Sequence, residues 1–324
     1  MRRCASVLVL VGGLGITIAP SVSAQQPIAG AAPQSMAAAA ESGVILPASA
    51  ASAPASDPRA GASPADTAPP PAGKEDAAAA PARRELRALA PDRPGFADAS
   101  DVVGAGAAQI EVGYVREFDA VGGEATRATA MPQPVLRLGL SDRFEVNFAS
   151  DGWTATGVSA RTEHTAGAND LVAGAKMRVF EESTAGVALA VAGALSIPSG
   201  AAGISSGRYD PAVKINWSRS LPGDRSLSGG LNLLWVGDDA GVRYLQRGAS
   251  VSVGQSFGRG WGTFAEVFGV FCGLHTAGRE LGAGAGLTKV VGENVQVDVS
   301  IGRGLTGPAT DWVVGGGFVI RTVR

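Results

Sequence analysis

Val295-Gln296-Val297-Asp298-Val299-Ser300-Ile301-Gly302 alternates apolar and polar residues without a break. A period of two belongs to a β-strand with unlike faces, because successive side chains of an extended chain point to opposite sides. The same rule runs through the preceding sequence. Ile110, Val112 and Tyr114 alternate with Gln109, Glu111 and Gly113. Leu136, Leu138 and Leu140 alternate with Arg137 and Gly139, and Phe144, Val146 and Phe148 with Glu145 and Asn147. Leu171, Ala173, Ala175, Met177 and Val179 enclose Gly174, Lys176 and Arg178; Val213, Ile215 and Trp217 enclose Lys214 and Asn216; Leu231, Leu233 and Trp235 follow. Weaker patterns predict strands over 187–197, 243–257, 261–272, 279–290 and 311–321, with a second strand beginning near 130. The sum is 12 strands, with about 20 residues for each strand and its connection, as in a membrane-spanning barrel.

The connections alternate in kind. Ser141-Asp142, Glu181–Gly186, Pro222-Gly223-Asp224, Gly258-Arg259-Gly260 and Gly292-Glu293-Asn294 have the composition of tight turns. Between them fall longer loops at 119–129, 153–168, 199–207, 237–242, 273–278 and 305–310. Short turns on one side and long loops on the other are the asymmetry of an outer-membrane barrel with both chain ends in the periplasm. A soluble sandwich would alternate too. The even strand count and the aromatic residues near strand ends favour the barrel: Phe118, Trp153, Phe180, Trp217, Trp235, Phe257, Trp261 and Trp312 would form interfacial girdles. The polar face carries Glu111, Arg137, Glu145, Lys176, Arg178, Lys214, Glu266 and Asp298, the candidates for lining the lumen. Charge on the lipid side is costly, which sends these residues inward. Gly282, Gly284 and Gly286 share one face and would leave room in the lumen or let the wall curve.

The rest of the chain divides by composition. Met1-Arg2-Arg3, an apolar run to about Ala19 and Val22-Ser23-Ala24 read as a signal peptide over 1–24, cleaved after Ala24. Residues 25–90 hold 24 Ala, 10 Pro and no aromatic residue, which predicts a disordered periplasmic segment unable to bury a core. Residues 91–324 hold all 5 Trp, 3 Tyr and 10 Phe and are expected to be the folded barrel. Overall the chain of 324 residues is 45% hydrophobic and 17% charged, with net charge −2 and 2 Cys. That balance gives no basic face for nucleic acid, no disulfide scaffold and no Cys-based zinc cluster.

Six segments stand out in order: Asp92-Arg93-Pro94-Gly95-Phe96 at the start of the folded domain, Leu136 to Val146, Asn169 to Lys176, Leu195 to Gly200, Tyr209 to Lys214 and Asp311 to Phe318. Together they resemble the outer-membrane barrel family labelled putative MetA-pathway of phenol degradation. Their order spans nearly all of the folded domain. The resemblance implies a transporter that passes small compounds, aromatic ones among them, across the outer membrane of a Gram-negative bacterium. It supplies no binding residues to carry over. The implied partners are outer-membrane lipid, a small-molecule solute and the outer-membrane assembly machinery. Many such barrels end in an aromatic residue; here the last one is Phe318, ahead of Ile320-Arg321-Thr322-Val323-Arg324.

Two motifs suggest other chemistry. Gly203-Ile204-Ser205-Ser206-Gly207 matches G-x-S-x-G, but a nucleophile elbow needs a following helix. A barrel hydrolase of the lipase class would have to use Ser205 with His164 or His275, both expected in outer loops. Gly302-Arg303-Gly304-Leu305-Thr306-Gly307 matches G-x-G-x-x-G but lacks the βαβ context and reads as a hairpin loop. No cofactor, catalytic residue or metal ligand is assigned. The expected function is passive diffusion of small molecules through a polar lumen. A hydrolase and a plugged structural or adhesive barrel are the alternatives.

Overall fold

The computed structural model describes residues 87–121, 124–158, 164–237, 243–272 and 279–323. The expected signal peptide, most of the Ala/Pro-rich segment and His275 lie outside the described residues. Fourteen strands follow in sequence: β1 (Ala107–Val121), β2 (Glu124–Gly139), β3 (Phe144–Ser150), β4 (Trp153–Val158), β5 (His164–Ala168), β6 (Leu171–Phe180), β7 (Ala188–Ile197), β8 (Asp210–Leu221), β9 (Arg225–Gly237), β10 (Arg243–Gly258), β11 (Trp261–Cys272), β12 (Glu280–Val291), β13 (Val295–Gly304) and β14 (Trp312–Val323). All pairings are antiparallel between neighbours, and β1 pairs with both β14 and β2, which closes the sheet.

The closed wall has 12 strands, because two of them are broken. One edge of β2 pairs with β3 over Val135–Gly139 and with β4 over Thr126–Met131. β3 and β4 are therefore two halves of one strand, and β5 and β6 two halves of the next. The break sits at Gly152, which has φ +66; a Cβ there would meet the Pro132 carbonyl oxygen at 1.6 Å, so only Gly fits. Asn169 ties the two breaks together by donating its amide to Thr154 Oγ1 at 2.7 Å and to the Gly152 carbonyl at 3.2 Å. Asp170 accepts the Ser199 and Gly200 amides at 3.0 and 2.8 Å. The outer edge of β5 is covered by the 198–209 loop, whose Ala201 amide donates to the Ala168 carbonyl at 2.8 Å.

These breaks correct two sequence expectations. The segment 153–168 contains β4 and β5 rather than a long loop, and His164 opens β5 opposite Gly157. β2 begins at Glu124 rather than near 130, so 119–129 is mostly a strand hairpin. Short apolar-poor stretches such as Glu124–Ala130 show no alternation, and sheet pairing alone makes them strands. The 181–186 turn encloses one helical turn, α1 (Glu182–Ala185).

Side chains take the faces that the alternation requires. Val299 is 58% exposed on the outside while its neighbour Asp298 is 4% exposed. Ile110, Phe148, Leu171, Met177, Leu231, Val267 and Ile320 join the outer surface, and Trp153, Phe180, Trp235, Phe257, Trp261 and Trp312 are exposed near strand ends or at the break. Lys289 and Arg303 stack over Trp261 and Trp312 at 5.0 and 4.9 Å. An apolar exterior with rings and cations at its margins is the surface a bilayer requires. Within the wall, the room beside Gly282 and Gly286 is taken by the Phe268 and Phe264 rings, which an added Cβ would meet at 2.3 and 2.2 Å.

Candidate functional site

The lumen is occupied by the chain itself. Residues 87–106, ahead of β1, fold inside the barrel, and Asp92, Arg93, Phe96, Asp98, Val102 and Val103 are buried there. This strap is tied to the wall along its length. The Arg87 carbonyl accepts from Arg321 on β14, and the Asp92 amide donates to Glu111 on β1. Arg93 reaches Asp298 on β13, and the Phe96 amide reaches Glu266 on β11. Asp98 meets Lys214 and Ser100 meets Ser218, both on β8. Asp101 meets Arg178 on β6, the Val103 amide meets Glu145 on β3, and Ala105 at the end of the strap meets Asp142 in the turn after β2. From Arg93 to Val103 the contacts run in wall order over β13, β11, β8, β6 and β3, while Asp92 just ahead of them reaches β1, β2 and β6.

All eight wall residues singled out by alternation touch the strap. Arg137 is the densest node. It donates to Glu145 at 2.8 and 3.1 Å, to Glu111 at 3.1 Å, and to the carbonyls of Ala90 at 2.7 Å and Asp101 at 3.1 Å. It also lies 3.3 Å from Asp92 Oδ1, the same oxygen to which Lys176 donates. Glu111 takes a further bond from Gln109 at 2.9 Å. Arg93 pairs with Asp298 at 3.0 Å, Lys214 with Asp98 at 3.1 Å and Arg178 with Asp101 at 3.0 Å. Glu266 accepts the Phe96 amide at 2.9 and 3.1 Å.

Fully desolvated charges persist only when paired and hydrogen-bonded. Burial alone would push the Asp92 carboxyl up, but the facing Arg137 and Lys176 cations outweigh it and hold it below the ordinary carboxylate value. The Ala99 amide adds a bond to the same oxygen, pinning the strap to itself.

Glycines make the space. A Cβ on Gly113 or Gly317 would meet the Arg93 guanidinium at 2.0 or 2.5 Å, and one on Gly248 would meet the Phe96 ring at 2.9 Å. Phe96 stacks on Phe268 at 5.2 Å and, with Val115, Val270 and Val313, forms an apolar cluster inside the barrel.

Sequence reasoning placed Asp92–Phe96 only at the start of the folded domain and did not see the strap. A signal was present. Lys214 on β8 lies between Ala192 on β7 and Asn232 on β9, so the strands beside it offer no carboxylate and its partner had to come from elsewhere. Asp98 supplies it.

The Ser205 motif takes another form. Ser205 Oγ accepts the Gly207 amide at 2.9 Å, and the adjoining Ser206 donates to Asp210 at 2.6 Å. Strand β8, not a helix, follows, and no hydrogen bond joins Ser205 to His164 among the described residues.

Residues 91–322 match the family described as Putative MetA-pathway of phenol degradation. Among proteins of curated function, none matches the sequence. The structure is similar to an outer membrane channel of Pseudomonas putida F1, with TM-score 0.55 and 15% identity, covering 69% of this chain and 98% of that one. KdgM porin aligns with TM-score 0.41 and 9% identity over 65% of this chain and 98% of the porin. An anion-selective porin from Comamonas acidovorans aligns with TM-score 0.33 and 8% identity over 67% and 98%. A closed barrel with an apolar exterior, a charged interior and this family match leads to one assignment: the chain is an outer-membrane β-barrel belonging to the Putative MetA-pathway of phenol degradation family.

Proposed function

We propose that the protein is an outer-membrane channel or transporter through which small molecules diffuse, along a charged lumen narrowed by the strap of residues 87–106. The convergence on that strap of the eight charged wall residues read from the alternation carries the reading. A strap held by ion pairs sets the width and charge of whatever path remains. The buried side-chain amides of Asn147 and Asn216 have no partner among the described residues, which suits a hydrated interior, since buried polar groups without a protein partner bond to water. The family description adds aromatic compounds as the solute class.

A second reading, a plugged structural barrel, is favoured by the density of those same ion pairs. Single-channel recording on the refolded chain separates the two. Arg93→Ala removes the Asp298 pair and the side chain seated on Gly113 and Gly317, and is expected to raise conductance and phenol uptake into liposomes. Absence of conductance and uptake in both proteins would overturn the channel reading and leave the plug.

A further inference from the structure

We propose that the outer wall of β8–β11 holds one phosphorylated lipid of the outer leaflet, with its phosphate on Arg247 and an acyl chain in the groove beneath. Val213, Ile215, Leu231, Leu233, Ala249 and Phe271 line an outward-facing groove of about 290 Å³, and among the described residues Arg247 is the one charged residue on it. Gln246 and Gly248 are buried, so Arg247 points outward; it is exposed and lies opposite Leu233 on β9 and Phe271 on β11. No ion pair or hydrogen bond engages its guanidinium among the described residues. A bare guanidinium among apolar side chains against a bilayer is unfavourable unless it finds an anion there.

Its height supplies one. Arg247 lies four residues from the long-loop end of β10 at Arg243, about 10 Å below that end at a rise of ~3.3 Å per residue and a tilt near 40°. Trp235, paired with Leu245, stands one step nearer that end and marks the interfacial girdle. A long arginine stem reaches from Arg247 to the Trp235 level while its methylenes stay in the acyl region. At that level the anions are lipid phosphates, which a guanidinium fork binds in bidentate fashion. Arg243 is already engaged by the Tyr209 carbonyl and, at 3.8 Å, by Asp210, which leaves Arg247 as the phosphate ligand. The proposal rests on membrane placement of the barrel and not on conductance.

The test is native mass spectrometry of the folded full chain in detergent with bis-phosphorylated lipid A, its dephosphorylated form and inorganic phosphate. The wild type is expected to retain one lipid A per barrel. Arg247→Gln should lower retention about tenfold, Arg247→Lys less, and Ala249→Phe should lower it by filling the groove. Dephosphorylated lipid A should be lost, and millimolar inorganic phosphate should fail to compete. Equal retention by Arg247→Gln, or displacement by inorganic phosphate alone, overturns the proposal. Heat-modifiable gel mobility establishes that each variant is folded. A failed channel reading shows in conductance and a failed lipid site in retention, so the two are scored separately.

Discussion

Arg137 carries more of the interior than any other side chain, because its planar fork reaches three carboxylates and two strap carbonyls at once. Removing one partner of a buried charge cluster leaves the others desolvated and unpaired. Arg137→Met is therefore expected to destabilise the barrel by about 3–5 kcal/mol, read from urea unfolding in lipid vesicles. Arg137→Lys keeps the charge but not the fork and should fall between. Asp92 gives the interior a pH dependence of definite sign. Its folded carboxyl lies below its unfolded value near 3.8, so its stabilisation is complete above that value and is lost as pH falls through the depressed one. Asp92→Asn should flatten the acid limb of an unfolding titration between pH 5 and pH 2, roughly the carboxylate range.

At the scale of elements, the strap and the broken strands depart from a plain hairpin barrel. The strap has no period of its own; Asp92-Arg93-Pro94-Gly95-Phe96-Ala97-Asp98 reads as a short polar stretch with one ring. Its conformation comes from wall residues on β1, β13, β11, β8, β6 and β3. The break between β3 and β4 depends on Gly152 and on Asn169. Gly152→Ala would force a Cβ onto the Pro132 carbonyl and strain a positive φ, at a cost of order 1–3 kcal/mol. The expected result is faster proteolysis around 150–170 with the remaining wall intact, measured by limited digestion of the refolded protein. A chain cut as fast as wild type would show that the break tolerates a side chain.

At the scale of the whole molecule, the barrel is an apolar sleeve around a polar centre. Val299→Arg, in the middle of the outer band, should cost about 2–4 kcal/mol, whereas the same change at Val291 near the turn should cost about 0–1. Folding free energies in vesicles check the difference. The faces of Val295–Gly302, the strand number and the inward position of Asp298, Lys176 or Glu145 were legible in one dimension. An extended chain must point neighbouring side chains opposite ways, and lipid admits only the apolar set. The strap, the two breaks and the Asp92 partners of Lys176 and Arg137 were not legible. They arise from wall residues far apart in the chain that become neighbours only when β1 meets β14, and no local period records which segment the closed charges will hold.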